Sequence, residues 1–155
     1  MTKIILKPIG IVISEVAEPQ RGKGKWEEVT SEIVIDEEWE EHLEGLEEFS
    51  HIIVVFWMHK SPVGTRPPGK IHPRGRADLP LVGLFATRAP YRPNPLGVSV
   101  VRLVERRGNV LIVKGLDAID DTPVLDIKSY MTPVDKPEDI RMPDWVSKIR
   151  TQPRP

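Results

Sequence analysis

Cysteine is absent from the 155-residue chain, so it can form no disulfide, offer no thiolate to a metal and use no cysteine nucleophile. The compartment stays open, with the cytoplasm as the default. Long apolar runs are absent as well. Residues 1–16, MTKIILKPIGIVISEV, are interrupted by Lys7, Pro8 and Gly10, which argues against a signal peptide or a membrane span. Net charge is only −1 and by itself predicts no polyanionic partner. The familiar nucleotide signatures are missing too. Gly22-Lys23-Gly24 lies in a charged stretch without the third glycine of a dinucleotide fingerprint, and no P-loop lysine pattern occurs, which speaks against a Rossmann or P-loop enzyme. His42, His51, His59 and His72 show no i+2 or i+4 pairing, so no metal site is expected. Ser99, His59 and a carboxylate lack the G-x-S-x-G elbow that would support a hydrolase triad.

What the chain does have is segregated charge and clustered proline. Residues 27–48 carry eleven acidic side chains and no Lys or Arg, whereas residues 59–92 carry seven basic ones (Lys60, Arg66, Lys70, Arg74, Arg76, Arg88, Arg92) against Asp78 alone. Such segregation suits a basic face that meets phosphates; it equally suits two surfaces that pair with each other or with a second subunit. Residues 83–103, GLFATRAPYRPNPLGVSVVRL, read as strand, loop and strand. Between the alternation at Val82, Leu84 and Ala86 and a second strand at 98–103 stand Pro90, Pro93 and Pro95, with Arg88, Tyr91, Arg92 and Asn94. Proline fixes φ, removes an N–H and extends the residue before it. The loop is therefore stiff, and a stiff charged loop loses less entropy on binding a ligand. The plainer alternative is a crossover with incidental arginines.

Periodicity places further strands at 4–16, 31–35, 51–58, 109–115 and 124–127, with the doubly apolar HIIVVFWM of 51–58 as the central, covered one. Asp36 reads as the N-cap of a helix bearing Trp39, Leu43 and Leu46. Residues 61–80 hold five prolines and three glycines and should be a long irregular loop. Arg107-Gly108-Asn109 is a hairpin turn, and a short helix at 144–148 interrupts a proline-rich tail. Strands dominate without a βαβ rhythm. The expected fold is mainly β: a small closed or nearly closed β-barrel with a short helical insert and long Pro-rich loops. Residues 1–133 would form the domain and 134–155 a C-terminal tail. In residues 115–130, GLDAIDDTPVLDIKSY, Asp117, Asp120, Asp121 and Asp126 gather around a turn. Turn aspartates commonly cap backbone N–H groups, but carboxylates between apolar strands need cations or donors. Arg88 and Arg92 are the obvious cations, and a cationic ligand would serve as well.

These two segments, together with GLEEFSHIIVVFWMH before them, resemble the TsaA-like family of tRNA adenine N6-methyltransferases (the TrmO, or YaeB-like, proteins). The resemblance runs from Lys7 to about Pro133. The signature G-[AV]-F-[AST]-x-R-[SA]-x-x-R-P-N falls on Gly83 to Asn94, with Leu84 a mild departure. It implies a β-barrel that binds S-adenosylmethionine without a Rossmann fold, commonly as a homodimer with the cofactor near the subunit interface. The implied reaction methylates N6 of the threonylcarbamoyl-modified adenosine 3′ of the anticodon in tRNA. Cofactor contacts carry over onto Gln20, Arg21 and Gly22, onto Met58 and His59, onto Arg88, onto Val98 and Ser99, and onto Ile119, Asp120, Asp121 and Thr122. Within that frame His59 is the proton acceptor and Tyr91 stacks on the base. Arg88 and Arg92 fix the loop and meet a carboxylate or phosphate, and the basic stretch 60–76 meets the anticodon stem-loop. Neither a metal nor a membrane is expected as a partner. Two departures matter. Asp121 stands where the family has glycine, which limits φ > 0 and threatens the turn; Ser129 replaces the proline of Asp-Ile-Lys-Pro-Tyr. Bacterial members also carry a further C-terminal domain. The competing readings are a non-catalytic RNA-binding β-barrel module and a small-molecule hydrolase.

Overall fold

In the computed structural model, which describes residues 1–19 and 26–151, the strands are β1 (Gly10–Ile13), β2 (Thr30–Ile35), β3 (His51–Trp57), β4 (Lys70–Ile71), β5 (Val82–Gly83), β6 (Leu96–Arg107), β7 (Val110–Lys114) and β8 (Pro123–Ser129), followed by α1 (Trp145–Thr151). The chain divides into two units, one from residues 1–60 and 95–130, the other from 61–94 and 131 onward.

The first unit is a closed antiparallel barrel in the order β1-β2-β7-β6-β3-β8, as the strand-rich sequence leads one to expect. Period-2 alternation makes it. Ile33 and Ile35 of β2, Ile52, Val54 and Phe56 of β3, and Leu111 and Val113 of β7 turn inward and are almost wholly buried, each worth roughly 1.5–3 kcal/mol of transfer free energy. Gly108, at φ 58°, closes the β6–β7 hairpin in a left-handed conformation that glycine adopts without strain. Gly97 lies opposite Phe56, and a Cβ there would meet two ring carbons at 2.3 Å; the ring takes the space that a side chain would need. Two bulges interrupt the ladders. Leu125 is extra against β3 at Val55/Phe56, and Val104 is extra against β7, the kind of irregularity that bends a strand at a barrel rim.

Several expectations need correction. Residues 4–8 are not part of a strand, and β1 begins only at Gly10, although Ile9 N–H already donates to the Val124 carbonyl at 2.8 Å; Lys7 and Pro8 break the pattern. β3 is apolar on both faces yet covered on one, its outward residues remaining half-exposed. The insert after Asp36 is a 3₁₀ helix, Glu37–Leu43, and the Asp36 side chain caps nothing. Trp39, Leu43 and Leu46 nonetheless face the core, so their spacing identified the right face in the wrong helix type.

In the second unit, residues 61–80 are mostly irregular, but Lys70–Ile71 pair with Val82–Gly83 as a two-stranded ladder. The alternation at Val82, Leu84 and Ala86 does not continue as a strand. It turns into a 3₁₀ helix, Leu84–Ala86, with Thr87 N–H on the Leu84 carbonyl at 3.1 Å. Arg76 is 5 % exposed. It donates to both carboxylate oxygens of Asp78, at 3.0 and 2.5 Å, and to the Lys148 carbonyl at 3.4 Å. The guanidinium hydrogen bond holds the Asp78 carboxyl below the usual aspartate range. His72 Nδ1 donates to the Leu79 carbonyl at 2.7 Å. The short helix of the tail is α1, starting one residue later than expected and running to Thr151.

Candidate active site

In the first unit the 119–122 turn, the end of β1 and His59 come together. The turn after β7 folds against the end of β1. Val12 N–H donates to the Thr122 carbonyl, and Asp121 N–H donates back to the Val12 carbonyl, both at 2.9 Å. Asp120 N–H reaches the Val16 carbonyl at 2.7 Å, while its Oδ1 accepts the Ser14 N–H at 2.9 Å. Asp120 is thus a turn-capping aspartate as well as a half-buried carboxylate, with its second oxygen outside this bond. Asp121 is exposed at φ 63°. The turn does require a left-handed residue where the family pattern has glycine, and aspartate supplies it, being among the few side chains that tolerate that region.

Thr122 is 1 % exposed. Its hydroxyl donates to the Ile119 carbonyl at 2.7 Å and lies 3.5 Å from His59 Nδ1. With its proton spent on Ile119, Thr122 can only accept from His59. His59 follows Met58, whose N–H donates to the Pro95 carbonyl at 2.8 Å and whose side chain packs on the core. Next to them Lys60 Nζ holds the Ala17 carbonyl at 2.9 Å and Glu18 Oε1 at 2.5 Å. Lys60 is thus spent on the segment after β1, an anchoring role the sequence did not disclose. Ser99 is half-buried on the inner face opposite Val54, whereas Val98 points outward, 47 % exposed, opposite Val55. Gln20, Arg21 and Gly22 lie outside the described residues.

Arg88, Tyr91 and Arg92 belong to the second unit. Arg92 Nη1 donates to the carbonyls of Thr87 and Ala89 at 3.1 and 3.2 Å, and its guanidinium sits 5.5 Å from the Phe85 ring centroid. These contacts match the loop-fixing part of its expected role. Tyr91 hydroxyl shares a hydrogen bond with Thr65 Oγ1, and Arg88 is exposed. Of the basic stretch 60–76, Lys60 and Arg76 hold partners within the protein, and Arg66, Lys70 and Arg74 have exposed side chains. Asp126 is paired with Lys128 at 2.8 Å instead of with an arginine. Among the described residues no three His, Asp or Glu cluster to hold a metal ion, and no helix is long and apolar enough to cross a membrane.

Chemically, this cluster offers two carboxylates, several backbone carbonyls and an imidazole. That is an acceptor-rich surface suited to a cationic ligand and to accepting one proton.

Comparison with known proteins agrees. The family of tRNA-methyltransferase O N-terminal domains matches residues 13–136. A probable S-adenosyl-L-methionine-binding protein of Pyrococcus abyssi is 42% identical over 151 residues, covering 94% of this chain and 77% of its own. The mouse tRNA (adenine(37)-N6)-methyltransferase is 35% identical over 118 residues, 73% of this chain and 26% of its own length. The crystal structure of TrmO from Pseudomonas aeruginosa superposes with a TM-score of 0.71 at 32% identity, over 90% of this chain and 62% of that one. The chain therefore spans less than two thirds of that solved chain and about a quarter of the mouse enzyme.

Proposed function

Because the chain belongs to the family of tRNA-methyltransferase O N-terminal domains, we propose that it methylates N6 of the (threonylcarbamoyl-)adenosine 3′ of the anticodon in tRNA. S-adenosylmethionine as methyl donor and tRNA as substrate class follow from that membership. The observation that carries the reading is the 119–122 turn. Asp120 is oriented by Ser14 N–H, Asp121 is held left-handed, and His59 is set beside Thr122.

The donor chemistry fits the cofactor, since carboxylates and carbonyls complement a sulfonium and an ammonium group. Asp120, Asp121, Thr122, Ile119, Met58 and Ser99 would hold it, together with Gln20, Arg21 and Gly22. When bound, S-adenosylmethionine supplies an electrophilic methyl group. The protein's own part is positioning, because an in-line displacement gains most from holding the reacting atoms collinear. His59 takes the N6 proton. Arg88 meets a carboxylate or a phosphate, Tyr91 stacks on the base, and Arg92 keeps their loop in shape. A tRNA-modifying enzyme of this kind works in the cytoplasm.

The protein acts as a homodimer in this reading. Leu96, Val98 and Val100 are 38–51 % exposed and lie beside Trp57, Val55 and Ile53 on the outer wall. This apolar double column favours a second copy as its cover. Val100→Lys should yield monomers by sedimentation analysis.

The test of the activity is mass spectrometry of tRNA nucleosides after incubation with isotope-labelled cofactor. Label on N6 of the adenosine 3′ of the anticodon is expected, with at least about a hundredfold loss in Arg88→Ala. RNA binding without any transfer, and without thermal stabilisation by the cofactor, would instead identify a non-catalytic RNA-binding module.

A further inference from the structure

The second unit contains a cleft that methyl transfer leaves without a role. It measures about 320 Å³ and is lined by Arg66, Pro67, Pro68, Gly69, Phe85 and Pro93, among others, at the low end of small-ligand pockets. Its frame is the β4–β5 ladder and a hydrogen bond from Leu84 N–H to the Gly69 carbonyl at 3.1 Å. Two glycines on the wall, Gly69 and Gly83, have no local reason to be glycine. Neither has a positive φ, and a Cβ on either would touch nothing within 4 Å. What a side chain would take up at either position is open space.

Phe85 gives the cleft its chemistry. It is 75 % exposed, yet Arg92, fixed by two loop carbonyls, holds its guanidinium over the ring at 5.5 Å from the centroid. Aromatic rings and arginine planes are the surfaces on which unpaired bases stack. The one charged residue of the cleft's lining is Arg66, and no ion pair among the described residues engages Arg66 or Lys70. Asp78, the sole acid between residues 59 and 92, is taken by Arg76.

We propose that this cleft binds an unpaired nucleotide of the substrate RNA, its base stacked on Phe85 and its phosphate against Arg66. The proposal rests on the tRNA reading and adds to it a place where the anticodon loop is gripped apart from the reacting centre.

The test measures binding of a transcribed anticodon stem-loop by fluorescence anisotropy, with a fully paired duplex of equal length as control, and cofactor binding by thermal shift. Phe85→Ala should weaken stem-loop binding about 10- to 100-fold, and Phe85→Trp should restore it. Gly83→Val, which adds bulk at a lining position where a Cβ meets no atom within 4 Å, should weaken it comparably. Arg66→Ala should lower the salt slope by about one. The cofactor-induced stabilisation should be unchanged in all four. Stem-loop affinity within about twofold of wild type in both Phe85→Ala and Gly83→Val overturns the proposal. So does equal loss of duplex binding, or loss of cofactor binding in the same variants, which would make the cleft part of the cofactor site. Wild-type protein that grips the stem-loop through Phe85 but shows no cofactor response would sink the methyltransferase reading and leave the nucleotide cleft standing. Failure of the wild type to bind RNA overturns both.

Discussion

Gly97→Ala isolates one physical demand of the barrel. Gly97 is not in a left-handed conformation, so alanine brings no backbone strain. Replacing a strand glycine would by itself recover about 0.5–1 kcal/mol of chain entropy. The cost lies in packing. The new Cβ would sit 2.3 Å from two carbons of Phe56, about 1 Å short of ordinary contact at 3.4 Å. Phe56 is 3 % exposed within the core and cannot swing away without displacing its neighbours. A clash of about 1 Å against a fixed ring belongs in the upper part of the overpacking range, about 2–3 kcal/mol, leaving a net destabilisation of about 1–2.5 kcal/mol. For a chain of this size the melting temperature should fall by about 2–10 °C. Calorimetry checks the value, and a cycle with Phe56→Leu checks the cause. The shorter side chain removes the clash, so the double variant should be more stable than the sum of the singles predicts, by at least about 0.5 kcal/mol. Additive effects, or a Gly97→Ala protein melting within about 1 °C of wild type, would refute the reasoning. The consequence reaches the active site, because Pro95, two residues earlier, accepts the Met58 N–H at 2.8 Å, and Met58 precedes His59.

The other predictions concern the turn, the Arg76–Asp78 ion pair and the arginine brace. Thr122→Val keeps the shape but removes the hydroxyl bond to the Ile119 carbonyl; it should cost about 1 kcal/mol, visible by denaturant unfolding, and weaken cofactor binding in titration calorimetry. The Asp78 carboxyl, lowered by its Arg76 hydrogen bond, contributes stability that is complete above an ordinary aspartate pKa of about 3.9 and is lost as pH falls through its lower folded value. Asp78→Asn should therefore be less stable than wild type at neutral pH, with the gap closing on acidification, and a gap independent of pH would remove the ion pair as its source. Arg92→Ala frees the Thr87 and Ala89 carbonyls and should speed proteolysis within residues 87–94 without altering barrel stability.

The barrel was legible because its signals are local and repeated. Alternation at Ile33 and Ile35 states which side of β2 is buried, the apolar run of 51–57 marks β3, and the Arg107-Gly108-Asn109 turn joins β6 to β7 without ambiguity. The features that misled are those decided by what lies beside a segment. The outer side of β3 reads as buried because it is apolar, but burial needs a second layer, and composition says nothing about whether one exists. Asp36 has the residue type and backbone geometry of a cap, yet the helix after it is 3₁₀ and its side chain makes no capping bond. Within the site, the aspartate turn was visible as an oddity and its function could be inferred from chemistry, but its construction could not. Asp120 spends one oxygen on Ser14, 106 positions away, a partner no spacing rule would suggest. Asp121 shows the reverse error. Judged by residue type alone it looks incompatible with φ > 0, whereas aspartate's short polar side chain makes it one of the tolerated substitutes for glycine. The same lesson applies to the basic stretch. Seven cations in sequence look interchangeable, but burial sorts them: Arg76 closes an internal ion pair, Lys60 ties down the segment after β1, and Arg92 braces a loop. Only cations left exposed beside an aromatic wall retain the chemistry to recognise a phosphate, so accessibility, more than the number of positive charges, decides where an RNA strand can be held.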